Sequence, residues 1–98
     1  MKVVWYESAI DDLENILEYI ARKESYGVAK NVVMQIKNKT KELGVFPEKY
    51  QKEKNDTDRN IRRAIIFSYK IIYEIYDKKV NILRIFHTSQ SPDKLDDL

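Results

Sequence analysis

The sequence predicts an α+β fold in which two helices pack on one face of an antiparallel sheet. A short β-branched and aromatic run opens the chain, two stretches with helically spaced apolar residues follow it, and three segments rich in Ile, Tyr and Phe come after them. At 98 residues and 43% hydrophobic content, the chain is long enough for one hydrophobic core and too short for two. We therefore expect residues 1–98 to form one domain.

The first two elements are predicted from residue type and spacing. Residues 2–6 favour a strand because all but the first are β-branched or aromatic. Ser8 is expected to cap a helix that runs to about Glu24. The apolar residues of this helix recur at helical spacing: Ile10, Leu13, Leu17, Ile20 and Ala21. Its carboxylates are expected on or near the solvent side: Asp11, Asp12, Glu14 and Glu18.

A second amphipathic helix is predicted from the apolar spacing between Ala29 and Leu43. Gly27 is placed in the break before it and Gly44 at its stop, and its lysines are expected to point largely outward. The short break makes the two helices an antiparallel hairpin. Residues 47–60 are almost all polar or charged, which predicts a mobile loop or irregular connection.

Three strands are predicted after this loop, at residues 61–67, 69–77 and 80–87. The turn between the last two is short enough for an antiparallel hairpin. The helices must bury their apolar stripes, so we expect them to cover one face of a twisted, largely antiparallel sheet. The other face is then the expected location of function.

Composition excludes several classes of function. The absence of cysteine excludes disulfides, a thiolate nucleophile and a cysteine zinc site, and it suits a reducing cytosol. No segment approaches the roughly 20 apolar residues of a membrane helix, and the N-terminus lacks the apolar run of a signal peptide. We expect a cytoplasmic protein with no membrane partner and no cofactor or metal.

Charge is distributed unevenly although the net charge is only +2. Residues 7–18 carry five acids and no base, whereas residues 59–84 carry seven bases against Glu74 and Asp77. Such asymmetry can mark a polyanion-binding surface beside an acidic face, and solvated charges explain it equally well. Charge alone therefore leaves a nucleic-acid or phosphate role open.

Four segments, in this order of elements, resemble the RelE/ParE superfamily of toxins from type II toxin–antitoxin systems. They are Val-Val-Trp-Tyr-Glu-Ser-Ala-Ile-Asp-Asp-Leu from Val3, Leu-Gly-Val-Phe-Pro from Leu43, Ile61-Arg62-Arg63 with Tyr-Lys-Ile-Ile-Tyr from Tyr69, and Ile-Leu-Arg-Ile-Phe-His-Thr-Ser-Gln-Ser-Pro from Ile82. After His87, many relatives carry basic residues where this chain has Thr88, Ser89 and Gln90. The resemblance therefore favours the ParE-like branch.

The resemblance implies a cognate antitoxin as partner, with which the chain can form a hetero-oligomer, and leaves three functions open. ParE-like members bind DNA gyrase and poison it, and this is the favoured reading. RelE-like members cleave mRNA on the ribosome. A third hypothesis is a non-toxic member that keeps its antitoxin-binding role. The fold by itself does not choose among them.

A RelE-like nuclease would use Arg62, Arg63, Lys70 and His87. RNA cleavage by a 2′-hydroxyl needs a base, cations for the phosphorane charge and an acid for the leaving oxygen. Lys70 falls where RelE-like nucleases carry a phosphate-binding Arg, and His87 falls where some carry a catalytic His. The alternatives are solvated cations on an exposed sheet face and a structural histidine hydrogen-bonded at the sheet edge.

Two further groups of residues are weaker candidates. Glu48 and Glu53 are the available carboxylates for a general base, but no motif surrounds them. Tyr69 and Tyr73 are expected in the core because they are in phase with the strand's isoleucines. Tyr76 is expected on the other face, where an aromatic ring can stack on a base.

Overall fold

The computed structural model describes residues 1–53 and 58–89. The element order is β1 (Lys2–Trp5), α1 (Glu7–Lys23), α2 (Tyr26–Val45), β2 (Ile61–Ile66), β3 (Tyr69–Tyr76) and β4 (Lys79–His87). This order confirms the predicted α+β fold of one strand, a helical hairpin and three strands. No helix in the described part of the chain is long and apolar enough to cross a membrane.

The four strands form one sheet in the order β1-β4-β3-β2. β3 pairs antiparallel with both β2 and β4, whereas β1 pairs parallel with β4, so the sheet is mixed. Asp77 and Lys78 form the tight turn between β3 and β4 with φ of 54° and 57°, as a two-residue hairpin of the primed type requires. Phe67, predicted as strand, lies in the β2–β3 turn with φ of 53°.

The main core lies between the helices and one face of the sheet. It joins buried apolar residues from every layer: Ala9, Leu13, Ile36, Leu43, Ala64, Ile71, Tyr73, Val80, Ile82 and Ile85. Tyr73 is fully buried and Tyr69 packs against this core half-buried, which agrees with their prediction as core residues. Strand alternation places a second buried cluster on the opposite face: Ile61, Ile72, Leu83 and Phe86.

The start of α1 corrects the predicted cap. The helix begins at Glu7, its N-cap is Tyr6, and no side chain caps it. Ser8 lies inside the helix and its Oγ donates a hydrogen bond to the carbonyl of Leu83 at 2.7 Å. The serine was predicted to hold the helix end, but its hydroxyl instead fastens α1 to β4.

Both glycines of the second helix also have roles other than those predicted. Ser25 is the N-cap of α2 and its Oγ accepts from Val28 N at 3.1 Å, so Gly27 lies in the first turn of the helix and not in the break. Gly44 lies inside α2, where an added Cβ would be 2.9 Å from both Met1 O and Val3 Cγ2. Gly44 therefore permits the close approach of β1 to the helix.

The connection after α2 is partly tied to the sheet. Lys52 forms an isolated bridge with Arg62, Glu53 N donates to Ile61 O at 2.8 Å, and Arg63 N donates to Gln51 O at 3.1 Å. Residues 51–53 thus pair with the outer side of β2 and are not a free loop. Residues 54–57 of the predicted loop lie outside the described residues.

Candidate functional site

Arg62 supports the chain connection and does not belong to an open cationic cluster. Its neighbours in β2, Ile61 and Arg63, point away from the helices. Because side chains alternate along a strand, the Arg62 side chain leaves the sheet on the helix side. Its Nη1 donates to Tyr50 O at 2.7 Å and to Glu48 O at 3.2 Å. These carbonyl contacts hold the segment after α2 against β2.

Arg63 lies on the opposite face of the sheet, beside the candidate base Glu53. Arg63 Nη1 is 3.7 Å from Glu53 Oε1, which is an ion-pair distance but too long for a hydrogen bond. The Glu53 side chain is only 8% exposed, and its Oε1 has no hydrogen-bond partner among the described residues. The other candidate base, Glu48, is exposed.

Lys70 shares this face with Arg63. It lies opposite Ile65 on β2 and Phe86 on β4, whereas Arg63 lies opposite Ile72. This makes Arg63 and Lys70 diagonal neighbours, with backbones about 7–8 Å apart. Lys70 is half-buried and has no ion pair among residues 1–53 and 58–89. The structure thus brings together two of the four residues predicted for a nuclease.

His87 is separated from Lys70 by the sheet. It pairs with Tyr69, and the two rings meet edge to face with centroids 5.5 Å apart. Its Nδ1 accepts the Ser89 N–H at 3.2 Å and lies 2.7 Å from Ser89 Oγ. These contacts fit the structural alternative for this histidine.

An ion pair between α1 and β4 was missed from the sequence. Asp12 Oδ2 accepts from Arg84 Nε at 2.8 Å and from Ile85 N at 2.8 Å, while its Oδ1 accepts from Arg84 Nη2 at 3.1 Å. The Arg84 guanidinium also lies 4.8 Å from the centre of the Phe86 ring. β1 pairs with β4 only as far as Ile82. Beyond that residue, the Asp12 carboxylate takes the place of a strand as the acceptor for a backbone N–H of β4.

One signal in the sequence marks Asp12. It lies three residues after Ala9 and four before Ile16, both of which belong to or pack on the core. That spacing puts Asp12 at the border of the apolar stripe and not on the solvent-exposed face of the helix. With Tyr19, Tyr69 and His87, the Asp12–Arg84 pair lines a cleft of about 590 Å³ between α1 and the end of β4.

Carboxylates neutralise much of the basic C-terminal half. Arg59 binds Glu74 through two hydrogen bonds of 2.9 Å, and this contact raises the pKa of Arg59 above its usual value. With Glu53 beside Arg63 and Asp12 beside Arg84, three arginines of the segment each face an acid. Within residues 1–53 and 58–89, the uneven charge of the sequence therefore does not produce a broad open cationic surface. Tyr76 is exposed on the face of the sheet that points away from the helices, as expected.

A polar network fixes the end of α2. Glu42 accepts from Lys49 Nζ at 2.8 Å, from Tyr50 Oη at 3.0 Å and from Lys39 Nζ at 3.2 Å. The hydrogen bonds from Lys49, Lys39 and Tyr50 lower the pKa of the Glu42 carboxyl to about 2. Lys39 was predicted to point largely outward, but it is half-buried against Tyr50.

Comparison with known proteins identifies the family. The model of the ParE toxin of the type II toxin–antitoxin system parDE matches residues 3–92. A solved structure described as the chromosomal ParDE TA system from P. aeruginosa is similar in fold, with a TM-score of 0.77 and 19% identity over 89% of this chain and 95% of that one. No curated protein matches. Because the family match covers residues 3–92 of 98, the predicted resemblance is confirmed and the chain belongs to the ParE toxin family of type II toxin–antitoxin systems.

Proposed function

We propose that this chain inhibits growth by binding DNA gyrase and trapping it on cleaved DNA, and that a cognate antitoxin holds it inactive. The observation that carries this proposal is the ParE family match over residues 3–92. The similar solved structure is described as a ParDE toxin–antitoxin system, which supports an antitoxin as partner. In this reading the chain acts by binding a protein and is not an enzyme.

The placement of the nuclease candidates supports binding over catalysis. Strand alternation separates Arg63 and Lys70 from Arg62 and His87. Arg62 is engaged by backbone carbonyls, and Nδ1 of His87 is engaged by Ser89. An acid, a base and a phosphate clamp need to meet within hydrogen-bond reach of one substrate. Ribosome-dependent mRNA cleavage through these four residues stays the alternative.

Two assays on the purified chain test the proposal. We expect inhibition of gyrase supercoiling with accumulation of cleaved DNA, and no codon-specific mRNA cleavage on ribosomes. Expression without the antitoxin should induce a DNA-damage response. Cleaved mRNA with unaffected gyrase would favour the alternative, in which His87→Ala abolishes toxicity while circular dichroism stays that of the folded chain.

The third hypothesis has its own outcome in the same experiment. A member that only binds antitoxin should permit normal growth when it is induced alone, and it should leave both gyrase and mRNA intact. Binding of the antitoxin encoded beside the gene, measured by calorimetry, would then be its remaining activity.

A further inference from the structure

We propose that two copies of this chain pair through the outer face of the α1–α2 hairpin. In this dimer an acidic stripe on α1 of each copy contacts a basic stripe on α2 of the other. The proposed function gives the chain other proteins as partners, whereas this contact joins the chain to itself.

The acidic stripe follows the solvent side of α1. Two positions along a helix turn a side chain by about 200°, so Asp11 points nearly opposite the buried Ala9 and Leu13. Glu18 is 3.5 Å from Arg22 of its own helix, and the other acids of the stripe have no ion pair among residues 1–53 and 58–89. The stripe consists of four exposed acids that recur every three or four positions: Glu7, Asp11, Glu14 and Glu18.

The basic stripe follows α2 with the same spacing. It consists of three lysines and one methionine, all exposed: Lys30, Met34, Lys37 and Lys41. Met34 is 52% exposed and adds an apolar surface between the lysines. None of these lysines forms an ion pair within the part of the chain that the structure describes. One hairpin therefore presents two stripes of opposite charge whose members do not contact one another.

The two stripes match each other position by position along the hairpin. The chain reverses between Glu24 and Ser25, so residues equally far from that turn lie level in the two antiparallel helices. Counted from the turn, each acid is one residue further away than its counterpart, which is a shift of about 1.5 Å. The level pairs are Glu18 with Lys30, Glu14 with Met34, Asp11 with Lys37 and Glu7 with Lys41.

A two-fold axis parallel to the helices makes use of this match. When two hairpins stack face to face about such an axis, α1 of each copy lies over α2 of the other, and every residue keeps its level. Asp11 of one copy then faces Lys37 of the other, and the methylene groups of Glu14 cover Met34. Because the contact is symmetric, each pair forms twice.

Charge favours a second copy over other partners. A nucleic-acid duplex attracted by the basic stripe would meet the acidic stripe beside it, and a cationic segment attracted by the acids would meet the lysines. The pattern of the hairpin itself complements both stripes at once. Only a partner with alternating charge at the same spacing could do likewise.

The size of the face predicts a weak dimer. The 17 residues of α1 span about 25 Å, and two packed helices are about 20 Å wide, which gives about 500 Å² per copy. A total near 1,000 Å² is at the low end of specific interfaces. We therefore expect a dissociation constant of roughly 10–100 µM that rises with salt.

Charge reversal tests the contact, with a rescue that depends on the proposed geometry. One variant makes α1 basic through Asp11→Lys with Glu18→Lys, and another makes α2 acidic through Lys30→Glu with Lys37→Glu. Two copies of either variant would bring like charges together, whereas one copy of each restores opposite charges on both sides of the axis. The matched control reverses two exposed lysines outside the hairpin, Lys52→Glu with Lys78→Glu.

Sedimentation equilibrium measures the association of each purified chain. At about 200 µM in low salt, the parent should have a mean mass well above that of one chain, and each reversed variant should associate at least about tenfold more weakly. The equimolar mixture of the two variants should regain the association of the parent, and the control should keep it. Amide resonances of the parent should shift on dilution along the two stripes and not in β2 or β3.

Three results would overturn the inference. They are a parent chain that stays monomeric at about 200 µM, two folded variants that do not associate when mixed, and equal loss of association in the control. If a thermal melt shows that a reversed variant does not fold, the dilution shifts of the parent decide, since shifts outside the hairpin or none at all exclude this dimer. Gyrase and antitoxin take no part in these measurements, so the proposed function can fail or hold independently of the dimer.

Discussion

Removing the Asp12 carboxylate should destabilise the protein more than removing any other acid of α1. Its two oxygens accept three hydrogen bonds, two from Arg84 and one from Ile85 N. The Arg84 and Asp12 side chains are 22% and 14% exposed, so the ion pair is mostly buried. Asp12→Ala removes two hydrogen bonds from the partly buried Arg84 guanidinium and removes the acceptor of the Ile85 N–H.

The expected cost follows from these contacts. Breaking a buried ion pair costs about 3–5 kcal/mol and an exposed one about 0–1, which places this pair at about 2 kcal/mol after screening. The unsatisfied N–H of Ile85 adds about 1 kcal/mol. Asp12→Ala should therefore lower the free energy of unfolding by about 3 kcal/mol, and the midpoint temperature by roughly 12–24 °C. Asp12→Asn keeps an acceptor for Ile85 N and should cost about 2 kcal/mol.

Urea unfolding followed by circular dichroism measures both variants. Asp11→Ala is the matched control, because Asp11 is the exposed neighbour in the same helix and its replacement should stay within about 0.5 kcal/mol of the parent. If Asp12→Ala and Asp11→Ala lose the same small amount, the ion pair does not join α1 to β4 as described. Equal losses for Asp12→Ala and Asp12→Asn would refute the separate contribution of the Ile85 hydrogen bond.

Three further predictions concern other contacts. Gly44→Ala should destabilise by about 1–3 kcal/mol in urea unfolding because its Cβ would lie 2.9 Å from Val3 Cγ2 in β1. Gly27→Ala is the matched control: its Cβ would meet only Ser25 Oγ at an ordinary contact distance of 3.8 Å, so it should stabilise by a few tenths to about 1 kcal/mol. A stabilising Gly44→Ala would contradict the close packing. The folded-state pKa of Glu42 is lowered from 4.5 to about 2, so its contribution to stability is present above pH 4.5 and is lost as pH falls toward 2. Glu42→Gln should thus lose less stability than the parent between pH 5 and 2.5, whereas the exposed control Glu48→Gln should follow the parent, and an NMR titration of Glu42 with an ordinary midpoint would disprove this. Burial raises the pKa of Tyr73 to about 12, so its absorbance should not titrate below pH 11 while the chain stays folded. Tyr73→Phe should lower the free energy of unfolding by about 1 kcal/mol, because it removes the hydrogen bond from Tyr73 to the segment after α2.

The order of elements was predictable because its signals are local. The β-branched and aromatic run before Glu7 and the apolar spacing of each helix report on residues within one or two turns of one another. The ends of the elements were less predictable. Ser8 and Gly44 have residue types that favour helix ends, but each is used in a contact with a distant strand. Local preference was overridden there by tertiary packing.

The candidate site was predictable as a set of residue types and not as an arrangement. Adjacent positions such as Arg62 and Arg63 look like one basic cluster in the sequence, yet a strand sends them to opposite faces. Lys70 and His87 were likewise separated by the sheet. The carboxylate partners of the arginines were not foreseen because those acids come from other elements.

The α+β fold, the helical hairpin, the burial of Tyr73 and the resemblance to the ParE toxin family could all be predicted from the sequence, since these follow from local periodicity and from ordered motifs. Only the three-dimensional arrangement reveals that β1 runs parallel to β4 and that Asp12 pairs with Arg84. These contacts join residues as far as 77 positions apart, as Lys2 and Lys79 are. No local preference encodes such a pairing, because it depends on how all the elements share one core.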